Sequence, residues 1–165
     1  MSSNKMTISH SDRVFMAERV FNAPRERVFA AFSQSEHLKQ WWGPKGWTLP
    51  VSKMDFRAGG SWHYCMKGPE GEESWGKALY HEVVAPERIV YTDYFSDADG
   101  NVVEGLPPAK ITLTFTEVNG QTRVVTSGEY ATAAELEQVL AMGMMEGFSE
   151  TWDRLDDYLV AGKLA

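Results

Sequence analysis

His63, Cys65 and His81 are the side chains in this sequence with the greatest capacity for metal or nucleophilic chemistry. His63 and Cys65 are two residues apart and share a face if they lie on a strand. His81 comes near them if the two segments pair as a hairpin. A zinc centre needs three or four such ligands and a supporting shell. No CxxC, HxxxH or HExxH spacing is present, so no metal is expected. Cys65 lacks a third residue to orient it as a nucleophile. The three residues read as polar groups tucked into, or out of, a mostly apolar sheet. Asp97-Ala98-Asp99-Gly100-Asn101 offers calcium-type oxygens. No register supplies a closing bidentate Glu and no helices flank it, so it reads as a turn. A P-loop, a GxGxxG fingerprint and a GxSxG elbow are all missing. No catalytic residue and no cofactor is expected.

The aromatic residues point instead to binding. Trp41, Trp42 and Trp47 are the densest cluster. They either flank a pocket entrance or pack small helices onto a sheet, and the Gly43-Pro44 turn between them favours packing. Arg57, Tyr64, Tyr80, Tyr91, Asp93, Tyr94 and Glu129 are the polar or amphipathic strand residues that could converge in a cavity. Strand register decides which do, since a slip of one residue reverses every assignment. Asp153, Asp156 and Asp157 bracket Arg154 and read as the solvated face of a helix.

These residues need elements to position them. Residues 1–12 read as a disordered leader, and 13–161 as one domain. Arg13 to Phe21 is the first strand. Asn22-Ala23-Pro24 stops it, with Asn as helix cap and Pro in the first turn. Arg25 to Ser33 follows as a helix with Val28, Phe29 and Phe32 on one stripe. Ser35 caps a second short helix that ends at Trp41-Trp42-Gly43-Pro44. Strands are expected over Trp47–Phe56, Ser61–Lys67, Ser74–Val84, Arg88–Phe95, Ile111–Phe115 and Arg123–Tyr130. Asn119-Gly120 is the strongest hairpin signal. Ala133 to Val160 reads as one long helix, with Leu136, Leu140, Met144, Phe148, Trp152, Leu155 and Leu159 on its apolar stripe. Gly143 and Gly147 interrupt it and imply a bend or a close backbone approach. The order gives an α+β fold: a curved antiparallel sheet of about six strands, two short helices after the first strand, and a long C-terminal helix.

Composition narrows the function classes. The chain has 165 residues, 43% hydrophobic and 12% aromatic, which suits a single globular core. Its formal charge of −7 argues against nucleic acid and against an anionic membrane as main partners. No apolar run approaches the ~18 residues of a membrane helix. One cysteine allows no internal disulfide. With no signal peptide visible, the expectation is a cytoplasmic protein. Oligomeric state is left open.

Several motifs, taken together, resemble the SRPBCC superfamily, the START-like or helix-grip fold. They are Phe21-Asn22-Ala23-Pro24-Arg25-Glu26-Arg27-Val28-Phe29 and Trp41-Trp42-Gly43-Pro44-Lys45-Gly46-Trp47. Asp55-Phe56-Arg57-Ala58-Gly59-Gly60-Ser61-Trp62, Pro86-Glu87-Arg88-Ile89-Val90 and Gly147-Phe148 add to them. Within the superfamily, the chain is similar to proteins related to the C-terminal domain of the activator of the ninety-kilodalton heat-shock protein's ATPase. It departs from the pattern at Phe148, where members usually carry Trp. The resemblance implies a sheet gripping the last helix, with a cavity for lipids, polyketides, flavonoids or other apolar molecules. It makes Trp42, Trp62, Tyr64, Tyr80, Tyr91, Tyr94, Met144, Phe148 and Trp152 the expected ligand-binding residues. Gly76, Gly143 and Gly147 are expected to leave free space beside them. A non-catalytic carrier or sensor is the first reading. A chaperone-interacting stress-response protein is the alternative, and a cyclase or hydrolase acting in the same cavity is the third.

Overall fold

The computed structural model describes residues 6–163. Its elements run β1 (Thr7–Ser11), β2 (Val14–Phe21), α1 (Arg25–Ser33), α2 (Ser35–Trp41), β3 (Thr48–Met54), β4 (Ser61–Lys67), β5 (Glu73–Val84), β6 (Arg88–Phe95), β7 (Ala109–Val118), β8 (Gln121–Glu129), α3 (Ala133–Ala141) and α4 (Met144–Lys163). The strands form one open antiparallel sheet in the order β1-β2-β8-β7-β6-β5-β4-β3. β2 lies near one edge and β3 at the other, so α1 and α2 carry the chain across the sheet.

Local chemistry explains most of these elements. Asn119 and Gly120 both have positive φ, 53° and 81°, as a two-residue hairpin turn demands. They set the register of β7 on β8 from Val118↔Gln121 onward. On β2, Phe15, Ala17 and Phe21 alternate inward with exposed Met16 and Glu18. Trp152, Leu155 and Leu159 of α4 join them in the buried core.

Four expectations are corrected. Among the described residues the sheet has eight strands, not about six, and β1 comes from residues read as leader. Its side chains are mostly exposed, so no apolar alternation marks it. Backbone pairing with β2 and a turn at Asp12, φ 56°, create it. Second, Ala133 to Val160 is two helices. Gly143, φ +87°, stops α3 and lets α4 restart. Third, Gln34 rather than Ser35 holds the cap position of α2, and the Ser35 hydroxyl pairs with that of Ser52 instead. Fourth, Pro24 holds the cap position of α1, its carbonyl accepting from the Arg27 and Val28 amides. Residues 1–5 of the expected leader lie outside the described residues. Among the described residues, no helix is long and apolar enough to cross a membrane.

Candidate functional site

A partly enclosed cavity of about 390 Å³ lies between the sheet and the two C-terminal helices. That is near the lower end of the ~300–1,000 Å³ typical of small-molecule sites. Inward-facing residues of β6, β7 and β8 form one wall, among them Tyr91, Ile111 and Thr126. Met144, Phe148, Thr151 and Trp152, whose spacing keeps them to one side of α4, form the wall facing them. Trp42, Gly43 and Pro44 border it from the loop after α2.

One end is polar. Asp93 lies on β6 and accepts from the Tyr64 hydroxyl at 3.1 and 3.4 Å. Burial pushes the Asp93 carboxyl up to about 7, against a smaller opposing effect of the Tyr64 bond. Burial also raises the phenols of Tyr64, Tyr80, Tyr91 and Tyr130, with the Asp93 charge adding to each, Tyr130 to about 12. The four phenols therefore stay neutral across the physiological range. Gly76 faces Tyr64 across β4 and β5. A Cβ there would lie 2.4 Å from the Tyr64 ring and hydroxyl, so glycine is what lets this ring lie over the neighbouring strand.

Of the residues expected from sequence, Trp42, Tyr64, Tyr91, Tyr94, Met144, Phe148 and Trp152 border the cavity. Tyr94 does so although it alternates with Tyr91 and Asp93 along its strand. Trp62 and Tyr80 do not border it. Trp62 stacks on Tyr64 at 4.2 Å, and its indole N–H donates to Ser52. Tyr80 packs against Phe56 and Tyr91. Both pack beside a lining residue, Trp62 on Tyr64 and Tyr80 on Tyr91. Of the polar candidates, Arg57 pairs with Asp55 and Glu129 with Arg13, away from the lining. Tyr130, Ile111, Thr126, Thr151 and Met142 line the cavity and were missed. For Thr126 and Ile111, the clean alternation of β7 and β8 was the available signal. Gly76 also borders the cavity, and the Tyr64 ring takes up the place its Cβ would fill.

The tryptophan cluster divides. Trp41 is fully buried and its indole donates to the Ala31 carbonyl, which is packing. Trp42 touches both Trp62 and Tyr64 and faces the cavity. Arg154 is not on a solvated face. Its guanidinium donates to the carbonyls of Gln40, Trp42, Gly43, Pro44 and Trp47, at 2.9–3.4 Å, and so ties the cavity's loop to α4. Asp153 and Asp156 pair with Arg19 of β2.

His63 stacks on Trp75 and contacts the Asp97 carbonyl, whereas His81 bonds Thr92. Burial pushes the Cys65 thiol up and keeps it a thiol. Asp97 accepts from the Asp99 and Asn101 amides, which closes its loop on itself. Among the described residues, no three His, Cys, Asp or Glu side chains gather as a metal site.

An open antiparallel sheet, a C-terminal helix laid against it and a cavity between them define a helix-grip domain of the SRPBCC type. Residues 22–160 match the family described as Activator of Hsp90 ATPase homolog 1-like protein, and the chain belongs to that family. Among solved structures, a Mycobacterium smegmatis protein is 34% identical with a TM-score of 0.87, covering 94% of this chain and 97% of its own. A Staphylococcus epidermidis protein is 32% identical, TM-score 0.80, covering 94% of each chain. One from Arthrobacter aurescens is 25% identical, TM-score 0.88, covering 94% of this chain and 91% of its own. No curated protein matches the chain.

Proposed function

We propose that this protein binds a small apolar or aromatic molecule in the cavity and acts as a carrier or sensor without catalysing a reaction. One observation carries the reading: a partly enclosed space of about 390 Å³, walled by aromatic and methionine side chains and, among the described residues, bordered by a single carboxyl. A solid core would close such a space, since protein interiors pack like organic crystals. A reducing cytoplasm suits its single, buried cysteine.

A ligand of about 25 heavy atoms, at roughly −0.3 kcal/mol each, reaches about −8 kcal/mol, a micromolar Kd. The test is tryptophan quenching with flavonoids and fatty acids, since Trp42, Trp75 and Trp152 border the space. Saturable quenching is expected in the native protein. Gly147→Leu should abolish it while keeping the fold, because a Cβ at Gly147 meets only Pro44, at an ordinary 3.5 Å. No saturable quenching, or equal quenching in both proteins, would sink the reading. Capture of a chaperone in a pull-down would then support the role that the family's description carries.

A further inference from the structure

The carboxyl that borders the cavity narrows the chemistry of its ligand, an inference that rests on the binding role proposed for the cavity. Among the described residues, Asp93 is the one charged side chain that borders the cavity. At its register the neighbours are Ala78 on β5 and Ala109 on β7, whose methyl groups offer it no hydrogen bond. Among the described residues, the Tyr64 hydroxyl is its one hydrogen-bond donor. A carboxylate has about four acceptor sites, so most of this capacity is left unused. Buried charges in native proteins are normally paired. Among the described residues, no Lys, Arg or His borders the cavity to do so. Trp42, Tyr91, Tyr130, Phe148 and Trp152 surround the same space. Aromatic faces attract cations, and the carboxylate repels anions.

We infer that the cavity selects an aromatic amine, whose protonated nitrogen sits on the Asp93 carboxylate while its apolar body lies against Phe148 and Trp152. The amine supplies the cation that the protein leaves out. A neutral molecule of equal shape gains the apolar contacts alone. A carboxylic acid meets a like charge.

The groups facing Asp93 make this selection pH-dependent in one direction. Tyr64 comes from β4, Tyr80 from β5, Tyr91 from its own strand and Tyr130 from beyond β8, all neutral phenols. The facing helices present Val139, Met144, Phe148, Thr151 and Trp152, none of which titrates. Asp93 alone therefore changes charge between mildly acidic and mildly basic solution, with its carboxyl near 7.

Calorimetric titration of the full chain with three probes of matched shape tests the inference: naphthylethylamine, naphthylethanol and naphthylacetate. At pH 8 the amine should bind about tenfold or more tighter than the alcohol, and the acetate weakest. The amine's advantage should vanish at pH 5.5, where Asp93 carries its proton, and the alcohol's affinity should not move. Asp93→Asn should remove the advantage at pH 8, the amine then binding no tighter than the alcohol. The wild-type pH profile decides the matter even if that variant folds poorly. An alcohol that binds as tightly as the amine, or an advantage independent of pH, overturns the amine assignment and leaves the cavity reading standing. Failure of all three probes to bind overturns both.

Discussion

A single carboxyl shapes the chemistry of the cavity, and its burial carries a cost that pH exposes. In an unfolded chain Asp93 releases its proton near the ordinary value of 3.8, whereas in the fold it does so near 7. Between those values the folded protein holds a proton that the unfolded chain has lost. Stability therefore falls as pH rises through this window, by up to about 4 kcal/mol, and is level above it. Asparagine can still accept from Tyr64 but cannot ionise. Asp93→Asn should therefore gain several degrees in Tm over the native protein at pH 8, and much less at pH 5. Thermal melts at the two pH values check this, and an equal difference at both would contradict the burial account. Gly76 belongs to the same device, because any larger residue would displace the Tyr64 ring that meets the carboxyl.

Helix α4 depends on two glycines with opposite roles. Gly143 has φ +87°, so a side chain there is strained. Gly143→Ala should cost about 1–2 kcal/mol. Gly147 is helical and its Cβ position is open apart from Pro44 at 3.5 Å. Gly147→Ala should instead stabilise by up to about 1 kcal/mol. Denaturant unfolding of both variants gives opposite signs if the break between α3 and α4 is a conformational requirement. Arg154 does for the loop after α2 what no local signal does, because five carbonyls turn toward one guanidinium. Removing it strands buried acceptors at about 1–3 kcal/mol each. Arg154→Ala should destabilise by about 2–4 kcal/mol, reduced where water reaches the loop. Arg154→Lys should recover little, since an ammonium cannot reproduce the planar fork. Hydrogen exchange at Gly46 and Trp47 would report whether the loop loosens.

The fold and the cavity are coupled through Trp152, which is 2% exposed and packs edge-on to Phe21 of β2 at 5.5 Å. The same side chain borders the cavity, so a ligand rests on the core rather than on a mobile surface. Occupancy should then stabilise the whole domain. A ligand at a hundredfold excess over its Kd adds about 2.7 kcal/mol. For a domain of this size that is a rise of about 5–10 °C in Tm. A cavity binder that raises Tm in the native protein but not in Gly147→Leu would tie the shift to this space. Equal shifts in both would place the binding elsewhere.

Local physics determined the order of strands and helices, the Asn119-Gly120 turn, the apolar stripe of α4 and the motifs that assign the family. Each of these is a periodicity, a backbone preference or a short string, and each is complete within a few neighbouring residues. The edge strand β1 escaped this reading because its side chains stay in water and only backbone pairing holds it. The cavity's membership was decided by register. Trp62 and Tyr64 share a face of β4, yet only Tyr64 borders the cavity, because the Trp62 indole is bonded to Ser52 while Gly76 makes room for the Tyr64 ring. Arg154 and Asp93 show the same division. Their types were plain in the chain, but what each does depends on partners brought together by the sheet's long-range pairings. A carboxyl two residues from a tyrosine comes to border a cavity only when folding strips away its water and, among the described residues, supplies no cation in return.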